Sequence, residues 1–372
     1  MSRTDSHRAG IYDRPAGARG PHGPSRSPPP WPAGDLILTT EPILPWPRPL
    51  LSLLERCWRA GVTLDHWRHR RKETAGEWPL RLPVPVISIG NITVGGTGKT
   101  PLTELLARTW LDRGGHPGIV SRGYRGGADG NDEHRMLLRS LPGVPHQQHR
   151  CRHTAGLQLL AAHPEVDLLL IDDGFQHRRL HRDLDLVLLD GRSPLAGGYC
   201  LPRGRLREPW SQLARADHLI LTRVERCRDG ELANTIGFLR QWFPSIPRSL
   251  ATTEVGEVRS LGSAAIPAAG SRVFGFCGIG DPDSFRQTLT DHGWNLVGLE
   301  PFRDHHRYQM ADFRRIDRQA GERGAEALVC TAKDAVKIEL LLAAGMSSPL
   351  PILVQEVTTA VDLEPIFAQI GG

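Results

Sequence analysis

The sequence lacks the features that mark secreted, disulfide-linked and membrane-spanning proteins. Its six cysteines are scattered without any C-x-x-C pair, which argues against a zinc ribbon or a disulfide framework and favours a reducing cytosol. The N-terminus has basic residues but no apolar core after them, so we expect no secretory signal. No segment approaches the roughly 20 apolar residues needed to cross a bilayer, so we expect any membrane contact to be peripheral.

The charge of the chain is positive but mild. Its 372 residues carry a formal net charge of +5, which suits an anionic partner such as a nucleotide, a phospholipid surface or nucleic acid. The sequence shows no nucleic-acid recognition motif and no interleaving of aromatic and basic residues, so we predict no nucleic-acid partner. We also predict no obligate protein partner.

Composition separates the N-terminal region from the rest of the chain. Residues 1–40 are rich in Pro, Gly, Ser and Arg and are predicted to be a disordered tail, because such a segment buries too little apolar surface to offset its ordering entropy. Residues 41–80 contain an amphipathic helical pattern at 51–72. Two interpretations stay open for it: a helix packed on the domain, or an interfacial helix whose apolar side meets lipid while its basic residues meet phosphate headgroups.

Short continuous apolar runs alternate with helical stretches from residue 84 onward. Residues 81–255 contain VPVISIG, PGIVSRG, VDLLLIDD, LDLVLLD and DHLILTR, and residues 256–372 contain SRVFGFCGIG, WNLVGLE, EALVCTA and PILVQEV. Runs of this kind are typical of strands buried on both faces, as in a parallel sheet covered by helices. The pattern predicts an α/β protein with a larger first lobe and a second, smaller α/β lobe, divided near residue 255.

A glycine-rich segment, G-G-T-G-K-T, lies between the first predicted strand and the helix that follows it. Such a turn directs backbone N–H groups and the positive end of a helix dipole at one point, which favours phosphate. Thr93 stands where the strict P-loop pattern has its first glycine, and a chance glycine turn is the alternative. The agreement of strand, turn, helix and K-T spacing favours a P-loop NTPase-like α/β/α sandwich. The predicted nucleotide-binding residues are Thr93, Val94, Gly95, Gly96, Thr97, Gly98, Lys99 and Thr100.

Two adjacent acidic residues end another predicted strand. Asp172 and Asp173 follow a run of apolar residues, and Gly174 lets the chain turn at the carboxyl edge of the sheet, where open α/β sheets bind ligands. The pair would also suit a helix cap. Beside a P-loop, however, an acid at a strand end commonly holds Mg²⁺, so we predict Asp172 and the Thr100 hydroxyl as metal ligands. The predicted cofactors are ATP and Mg²⁺.

Several blocks together resemble one family, the tetraacyldisaccharide 4'-kinases, or lipid A 4'-kinases, of Gram-negative bacteria. The matching blocks, in family order between residues 84 and 338, are PVISIGNITVGGTGKTP, IVSRGY, DDGFQHRRLHRDLDLVLLD, LPRGRLREP, FGFCGIGDPDSF, FRDHHRY and TAKDAVKI. The resemblance implies two α/β/α lobes, with a P-loop kinase domain over residues 81–255. It also implies transfer of the ATP γ-phosphate to the 4'-hydroxyl of an acylated glucosamine disaccharide 1-phosphate, giving lipid IVA, at the cytoplasmic face of the inner membrane.

The resemblance also implies roles for individual residues. Asp172, Asp173 and His177 match the D-D-G-x-Q-H motif, whose implied roles are the organisation of Mg²⁺ and phosphate. Asp132 falls at the aspartate of the family's G-D-E-P motif, although the residues flanking Asp132 differ, and its implied partner is His305. Such a pair suits a kinase, because a carboxylate held by an imidazolium accepts the proton of an attacking hydroxyl. Arg207 matches the family's arginine, with Arg205 as a competitor.

Other departures from the family leave a rival hypothesis open. Ala332 replaces the glutamate of the usual T-E-K-D, which leaves the roles of Lys333 and Asp334 unassigned, and the N-terminal helix is shorter and more charged than is common. The alternative is a P-loop regulatory or assembly NTPase that acts on a protein partner. Such an NTPase would hydrolyse ATP whether lipid is present or not, whereas the kinase needs the lipid acceptor.

Overall fold

The computed structural model describes residues 46–123 and 132–370, all within one compact unit, Asp35–Gly372. The predicted disordered tail, residues 1–40, lies outside the described residues. The helices are α1 (Arg48–Thr74), α2 (Lys99–Asp112), α3 (Asp132–Ser140), α4 (Arg152–Ala162), α5 (Glu231–Trp242), α6 (Pro282–Asp291), α7 (Met310–Glu322), α8 (Ala332–Ala343) and α9 (Glu364–Phe367). The strands are β1 (Val86–Asn91), β2 (Pro117–Ser121), β3 (His146–Gln148), β4 (Leu168–Asp172), β5 (Leu184–Asp190), β6 (His218–Thr222), β7 (Arg248–Ser260), β8 (Arg272–Cys277), β9 (Asn295–Pro301), β10 (Ala327–Thr331) and β11 (Ile352–Ala360).

In the described part of the chain, eleven strands form one sheet in the order β3-β2-β4-β1-β5-β6-β7-β11-β10-β8-β9. The pairing of β7 with β11 is antiparallel, and the other strand pairs are parallel. Because β1 lies between β4 and β5, the loops that follow β1 and β4 leave the same edge of the sheet side by side. In open α/β sheets this carboxyl edge is where ligands bind.

The long strand β7 joins the two halves of the sheet. Its first residues, 248–251, pair with β6, and residues 252–260 pair with β11. The fold is a P-loop NTPase-like α/β/α sandwich with a second, smaller α/β lobe, as the sequence predicted. The division that we predict near residue 255 falls inside this strand, so the sheet is continuous at that point.

Apolar side chains cover both faces of each half of the sheet. In the first half, one cluster includes Leu102 and Leu106 of α2, and the opposite face packs against Leu159 of α4. The second half has two further clusters, one of them around Phe276 and Phe313. Residues 363–367 near the C-terminus return to the first half and join the cluster of α2, so the last helix stabilises the lobe that carries the P-loop.

The predicted apolar runs correspond to strands β1, β2, β4, β5, β6, β8, β9, β10 and β11, and these predictions are confirmed. Strands β3 and β7 were missed. Strand β3 has only three residues, and β7 is mostly half-buried or exposed, with polar residues along its length. Neither therefore shows the continuous apolar run that identifies a buried strand.

Candidate active site

The loop between β1 and α2 has the conformation of a phosphate-binding turn. Strand β1 is buried along its whole length and ends at Asn91, and α2 begins at Lys99. Gly95 and Gly98 have φ angles of 111° and 87°, a region that residues with a Cβ rarely adopt. Gly98 is also the residue that precedes α2, so the N–H groups of Lys99 and Thr100 in the first helical turn have no partner within the helix and are directed toward the loop.

Asn91 holds this loop together, and sequence reasoning missed it. Its Nδ2 donates hydrogen bonds to Thr97 Oγ1 over 3.0 Å and to Thr93 Oγ1 over 3.3 Å, and its Oδ1 accepts one from Lys99 Nζ over 3.4 Å. Thr93, at the position where the strict P-loop has glycine, therefore supplies an acceptor inside the loop. The available signal was a polar residue at the end of a mostly apolar strand.

Asp173 lies opposite Lys99, one residue beyond the end of β4. Its Oδ1 is 3.6 Å from Lys99 Nζ, and Arg207 Nη1 donates to both of its carboxylate oxygens over 2.9 and 3.0 Å. Burial alone would raise the pKa of Asp173, but the charges of Lys99 and Arg207 outweigh it and hold that pKa below its usual value. Asp173 thus keeps two cations together beside the loop, although its φ of 53° is unfavourable for aspartate.

Asp172 is the buried neighbour of this ion-pair network. Burial raises its pKa to about 7, the nearby carboxylates of Glu133 and Asp173 act in the same direction, and Lys99 opposes them. Among the described residues, Asp172 Oδ1 has no hydrogen-bond partner. A buried carboxylate oxygen that lacks a partner is suited to a cation, because the cation would supply the missing interaction.

Asp172 and Thr100 are the residues that could hold the magnesium ion of a P-loop protein. Thr100 is the second residue of α2, directly after Lys99. Within residues 46–123 and 132–370, no group of three or more His, Cys, Asp or Glu side chains could hold a metal ion. P-loop proteins hold Mg²⁺ with one hydroxyl, one strand-end acid and the nucleotide phosphates, so a closed cluster of protein ligands is not required.

Of the two candidate arginines, Arg207 lies beside the acids and Arg205 lies on the loop. Arg205 Nη2 donates to the Val94 carbonyl over 3.3 Å, whereas Arg207 reaches Asp173 and also lies 3.3 Å from Gln176 Oε1. Gln176 belongs to the D-D-G-F-Q-H block, so this block and the L-R-E-P block meet at the site.

Glu208, next to Arg207, is a second residue that sequence reasoning did not select. It is 4% exposed and accepts hydrogen bonds from Gln176 Nε2 over 2.8 Å and from Arg215 Nη2 over 2.7 Å. Burial would raise the pKa of Glu208. The hydrogen bonds with His66 and Gln176 and the charge of Arg215 outweigh burial and hold this pKa below its usual value. The buried carboxylate therefore stays charged and holds the segment that carries Arg207.

His177, the histidine of the same motif, lies among cations. Burial lowers its pKa to about 3, and the charges of Arg152 and Arg182 add to the effect. The imidazole is therefore neutral at pH 7. Among the described residues its Nε2 has no hydrogen-bond partner, and the contacts that the structure gives Asp172 and Asp173 do not include this ring.

Asp132 and His305 come together from opposite halves of the sheet. Asp132 begins α3, His305 lies in the loop after β9, and His305 Nδ1 is 3.4 Å from Asp132 Oδ2. The other ring nitrogen, Nε2, is 3.3 Å from Lys333 Nζ. Lysine only donates, so Nε2 accepts there and the imidazole proton belongs on Nδ1, facing Asp132. The flanking residues 124–131 lie outside the described residues.

Lys333 and Asp334 of the T-A-K-D block contact the segments that position His305. Lys333 Nζ donates to Asp304 Oδ1 over 2.8 Å as well as approaching the imidazole. Asp334 is fully buried and accepts hydrogen bonds from the Gly278 amide over 2.9 Å and from Thr331 Oγ1 over 2.7 Å. The carbonyl of Gly278 in turn accepts from the His305 amide over 3.2 Å. The alanine at position 332 leaves these contacts intact.

Beside the loop lies a cavity of about 500 Å³ lined by residues of both lobes. Its walls include residues 93–97 together with Asp190, Arg192, Arg223 and Asp281. Asp190 Oδ2 accepts from Arg192 Nη2 over 2.9 Å and from Arg223 Nη1 over 2.8 Å. Arg223 then reaches the Gly96 carbonyl over 2.7 Å and Arg192 reaches Asp281 over 2.9 Å, so one chain of charges joins the loop to the second lobe.

Comparison with known proteins identifies the family. A sequence model described as tetraacyldisaccharide-1-P 4'-kinase (LpxK) matches residues 48–370. The chain belongs to this 4'-kinase family. A protein named tetraacyldisaccharide 4'-kinase from Chromobacterium violaceum is 38% identical over 336 residues, which are 86% of this chain and 92% of that protein. One of the same name from Syntrophus aciditrophicus is 38% identical over 319 residues, 78% of this chain and 84% of that protein.

A solved structure agrees with this assignment. The crystal structure of LpxK from Aquifex aeolicus in complex with ATP has a TM-score of 0.65 and 26% sequence identity. The match covers 87% of this chain and 98% of that one. This family member therefore shares its two-lobed fold with a relative that binds ATP.

In this 4'-kinase family member, helix α1 touches the site as well as solvent. Trp58 Nε1 donates to the Arg207 carbonyl over 2.9 Å, and His66 Nε2 lies 3.1 Å from Glu208 Oε2. Glu55, which is 6% exposed, accepts from the Cys200 amide over 3.1 Å. One face of α1 is thus packed on the domain, as the first of the two interpretations predicted.

The opposite face of α1 carries an exposed apolar stripe. Leu50, Leu53, Leu64 and Trp67 recur at helical spacing and are 43%, 58%, 47% and 52% exposed. Leu51, by contrast, is fully buried on the inward side of the helix. Throughout the described residues, helices that combine the length and the apolar character needed to span a bilayer are absent.

Proposed function

We propose that this chain transfers the γ-phosphate of ATP to the 4'-hydroxyl of an acylated glucosamine disaccharide 1-phosphate, giving lipid IVA in lipid A biosynthesis. Membership of the family supports the reaction, and the ATP complex of the A. aeolicus relative supports the phosphate donor. The observation that carries the proposal is the contact between Asp132 and His305. Such a carboxylate suits a kinase, because it accepts the proton that the acceptor hydroxyl loses during phosphoryl transfer.

In the proposed reaction Asp132 is the general base. The O–H bond of the 4'-hydroxyl breaks, its proton passes to the Asp132 carboxylate, and the oxygen forms a bond to the γ-phosphorus. The bond from this phosphorus to the β–γ bridging oxygen breaks at the same time, and ADP leaves with the bond electrons. His305 keeps the carboxylate oriented through Nδ1. Asp132 is ready for this role, because burial would raise its pKa but the hydrogen bond with His305 and the charge of Lys337 lower it.

The P-loop and the acids at the end of β4 are proposed to organise the triphosphate. Backbone amides of residues 95–100 bind phosphate oxygens, and Lys99 and Arg207, held by Asp173, supply positive charge where negative charge develops. Thr100 and Asp172 would hold Mg²⁺, which supplies further positive charge to the phosphate oxygens. His177, neutral beside these groups, is proposed to contribute to phosphate organisation as an uncharged imidazole.

The direct test uses labelled ATP and the acylated disaccharide 1-phosphate in detergent. The purified protein is expected to transfer label to the lipid and to turn over ATP only when the lipid is present. Asp132→Asn is expected to lower kcat by about a hundredfold or more, since general-base catalysis is typically worth that much. ATP hydrolysis that is indifferent to lipid would contradict the kinase and support the regulatory NTPase.

We further propose that α1 attaches the enzyme peripherally to the cytoplasmic face of the inner membrane. Support comes from the outward stripe of Leu50, Leu53, Leu64 and Trp67 and from the basic residues near the end of the helix, Arg68, Arg70 and Arg71. Such a helix lies in the headgroup region with its apolar side toward the acyl chains.

The membrane proposal is tested by sedimentation with vesicles that contain anionic phospholipid. Leu53→Glu combined with Trp67→Glu is expected to abolish binding, because two charges would enter the acyl boundary. The matched control is Leu340→Glu on α8, where an exposed leucine of similar exposure, 52%, lies away from α1. Equal loss of binding in both proteins would contradict the assignment to α1.

A further inference from the structure

Lys337 lies between two carboxylates in the second lobe. Its Nζ is 3.2 Å from Asp132 Oδ2 and 3.6 Å from Asp334 Oδ1. The Lys337 side chain is 10% exposed, and Asp334 is fully buried. Lys337 and Asp334 are three residues apart on α8 and therefore share one face of the helix.

The lysine and the histidine contact the same carboxylate oxygen from different elements. His305 Nδ1 approaches Asp132 Oδ2 over 3.4 Å from the loop after β9, and Lys337 approaches it over 3.2 Å from α8. Asp132 is 23% exposed, so part of its carboxylate still faces outward. The carboxylate is thus held on two sides by the second lobe although it belongs to the first.

Asp334 explains why a lysine is tolerated in this position. One of its oxygens accepts from Gly278 and Thr331, and the other, Oδ1, faces Lys337 Nζ and has no hydrogen-bond partner among the described residues. A cation beside it balances the charge of a fully buried carboxylate, which is costly when unpaired. The same Asp334 orients the Gly278 segment that supports His305, so the two supports of Asp132 are linked.

We propose that Lys337 is a positioning residue for the base: it holds the Asp132 carboxylate in line with the acceptor hydroxyl and favours its charged form. The inference rests on the proposed function, because it assigns Lys337 to the base of that reaction. Lys337 acts through Asp132 rather than on the substrate. Lys337 is separated from Asp132 by 205 positions in the chain. The base is therefore held only when the two lobes are correctly positioned relative to each other.

The charges around Asp132 determine how the loss of Lys337 would change the pH dependence. Helix α8 presents Lys337, Lys333 and Asp334, the loop after β9 presents His305 and Asp304, and α3 itself presents Glu133. Removing Lys337 leaves His305 as the direct partner and leaves three acids nearby. The charged form of Asp132 is then less favoured. The acid limb of the pH profile, which is the fall in activity at low pH as the base becomes protonated, is therefore expected to move toward neutral pH.

The first experiment compares wild type with Lys337→Met from about pH 3 to pH 8.5, using the lipid acceptor, because the pKa of Asp132 lies below the usual aspartate value. We expect kcat to fall about tenfold to a hundredfold with the KM for ATP changed less than about threefold, as for a lost orientation of the base. The acid limb is expected to move up by about one pH unit. The matched control is Arg318→Met, which removes an exposed cation from α7 and is expected to change none of these quantities.

Two further variants separate positioning from folding. Lys337→Arg keeps the charge and is expected to restore most of kcat and the position of the acid limb. Lys337→Gln removes the charge but keeps a polar side chain, and it is expected to change kcat and the acid limb as Lys337→Met does. It replaces Lys337→Met in this experiment if the Met variant does not fold. An unchanged kcat and acid limb in Lys337→Gln, or a raised KM for ATP with normal kcat, would overturn the proposal.

A stability measurement tests the ion pair without any reaction. Asp132→Asn is made in wild type and in the K337M or K337Q background, and Tm is measured at pH 7.5. If Lys337 and Asp132 interact, the change in Tm caused by Asp132→Asn is expected to differ by about 2 °C or more between the two backgrounds. Equal effects would overturn the assigned contact. If the wild-type protein transfers no label to lipid, the proposed function fails, while this cycle still reports whether Lys337 holds Asp132.

Discussion

Arg207 Nη1 donates hydrogen bonds to both carboxylate oxygens of Asp173, over 2.9 and 3.0 Å, while Lys99 lies 3.6 Å from the same group. One carboxylate therefore sets the spacing of two cations beside the phosphate-binding loop. Because Asp173 adopts a backbone conformation that is unfavourable for aspartate, this arrangement is held at some cost in stability.

The first prediction concerns Asp173→Asn. Loss of the negative charge removes the interaction that fixes Lys99 and Arg207, so we expect kcat to fall by about a hundredfold, as for other preorganised charges. The affinity for ATP is expected to stay the same or increase, because a negative charge near the triphosphate is lost. Steady-state kinetics and a binding titration check this. Asp112→Asn, at an exposed position of α2, is the control, and an equal kcat for both variants would contradict the role of Asp173.

The second prediction concerns stability and pH at Asp172. Its pKa rises from an ordinary aspartate value to about 7 on folding, so the folded state binds this proton more tightly than the unfolded state. The stability contributed by this group is full below pH about 4 and is lost as the pH rises to 7. Asp172→Asn mimics the protonated form. We therefore expect its Tm to exceed that of wild type by about 2 °C or more at pH 8, and by less at pH 5.

This second measurement is made by calorimetry in the presence of a chelator, so that no divalent cation stabilises the wild type. Asp172→Asn is expected to be inactive while being more stable, which is common where a function requires a buried charge. A variant that is less stable than wild type at pH 8 and at pH 5 alike would contradict the assignment of a raised pKa.

The third prediction concerns the charges that join the loop to the second lobe. Asp281 accepts from Arg192, and its Oδ1 also accepts from the Ser284 amide over 3.1 Å at the start of α6. Asp281→Asn keeps the helix cap, since asparagine is a good N-cap, but it removes the ion pair. We expect the KM for ATP to rise by about threefold to tenfold, as for one lost charge-assisted hydrogen bond. Asp283→Asn, two residues along the same helix at an exposed position, should leave KM unchanged.

The fourth prediction separates the two faces of α1. Trp58→Phe removes the hydrogen bond to the Arg207 carbonyl, and we expect kcat to fall by about fivefold, the effect of roughly 1 kcal/mol. Vesicle binding should be unchanged, because the outward stripe is intact. Trp67→Phe is the matched control, since it makes the same replacement on the outward face and should leave kcat unchanged. The opposite pattern would show that the inward face of α1 does not support the site.

Local patterns made much of the site predictable. Residues 86–100 run from a buried strand through glycines into a helix, and this order leaves the loop amides free wherever the rest of the chain goes. Asp172 and Asp173 end an apolar strand, so their position at the carboxyl edge followed from the strand itself. Asn91 and Glu208 were harder, because a buried polar residue is recognised by its partners, and these are distant in the chain.

The contacts of Asp132 needed the tertiary structure. The resemblance implied His305 as a partner, but no spacing in the chain indicates that α8 would bring Lys337 to the same oxygen. Strand β7 shows a similar limit, since it is partly exposed and lacks the apolar run of a buried strand, yet it joins both halves of the sheet.

By itself, then, the sequence determined nine of the eleven strands in the described residues, the phosphate-binding loop and the acids beside it, because each depends on residues that are neighbours along the chain. Only the tertiary structure decided which side chains hold Asp132, which face of α1 meets the site, and where the two lobes are joined. The first two depend on elements more than a hundred residues apart in the chain. The third depends on β7, which lacks the apolar run of a buried strand. In each case the packing of buried apolar faces, and not a local pattern, sets which elements meet.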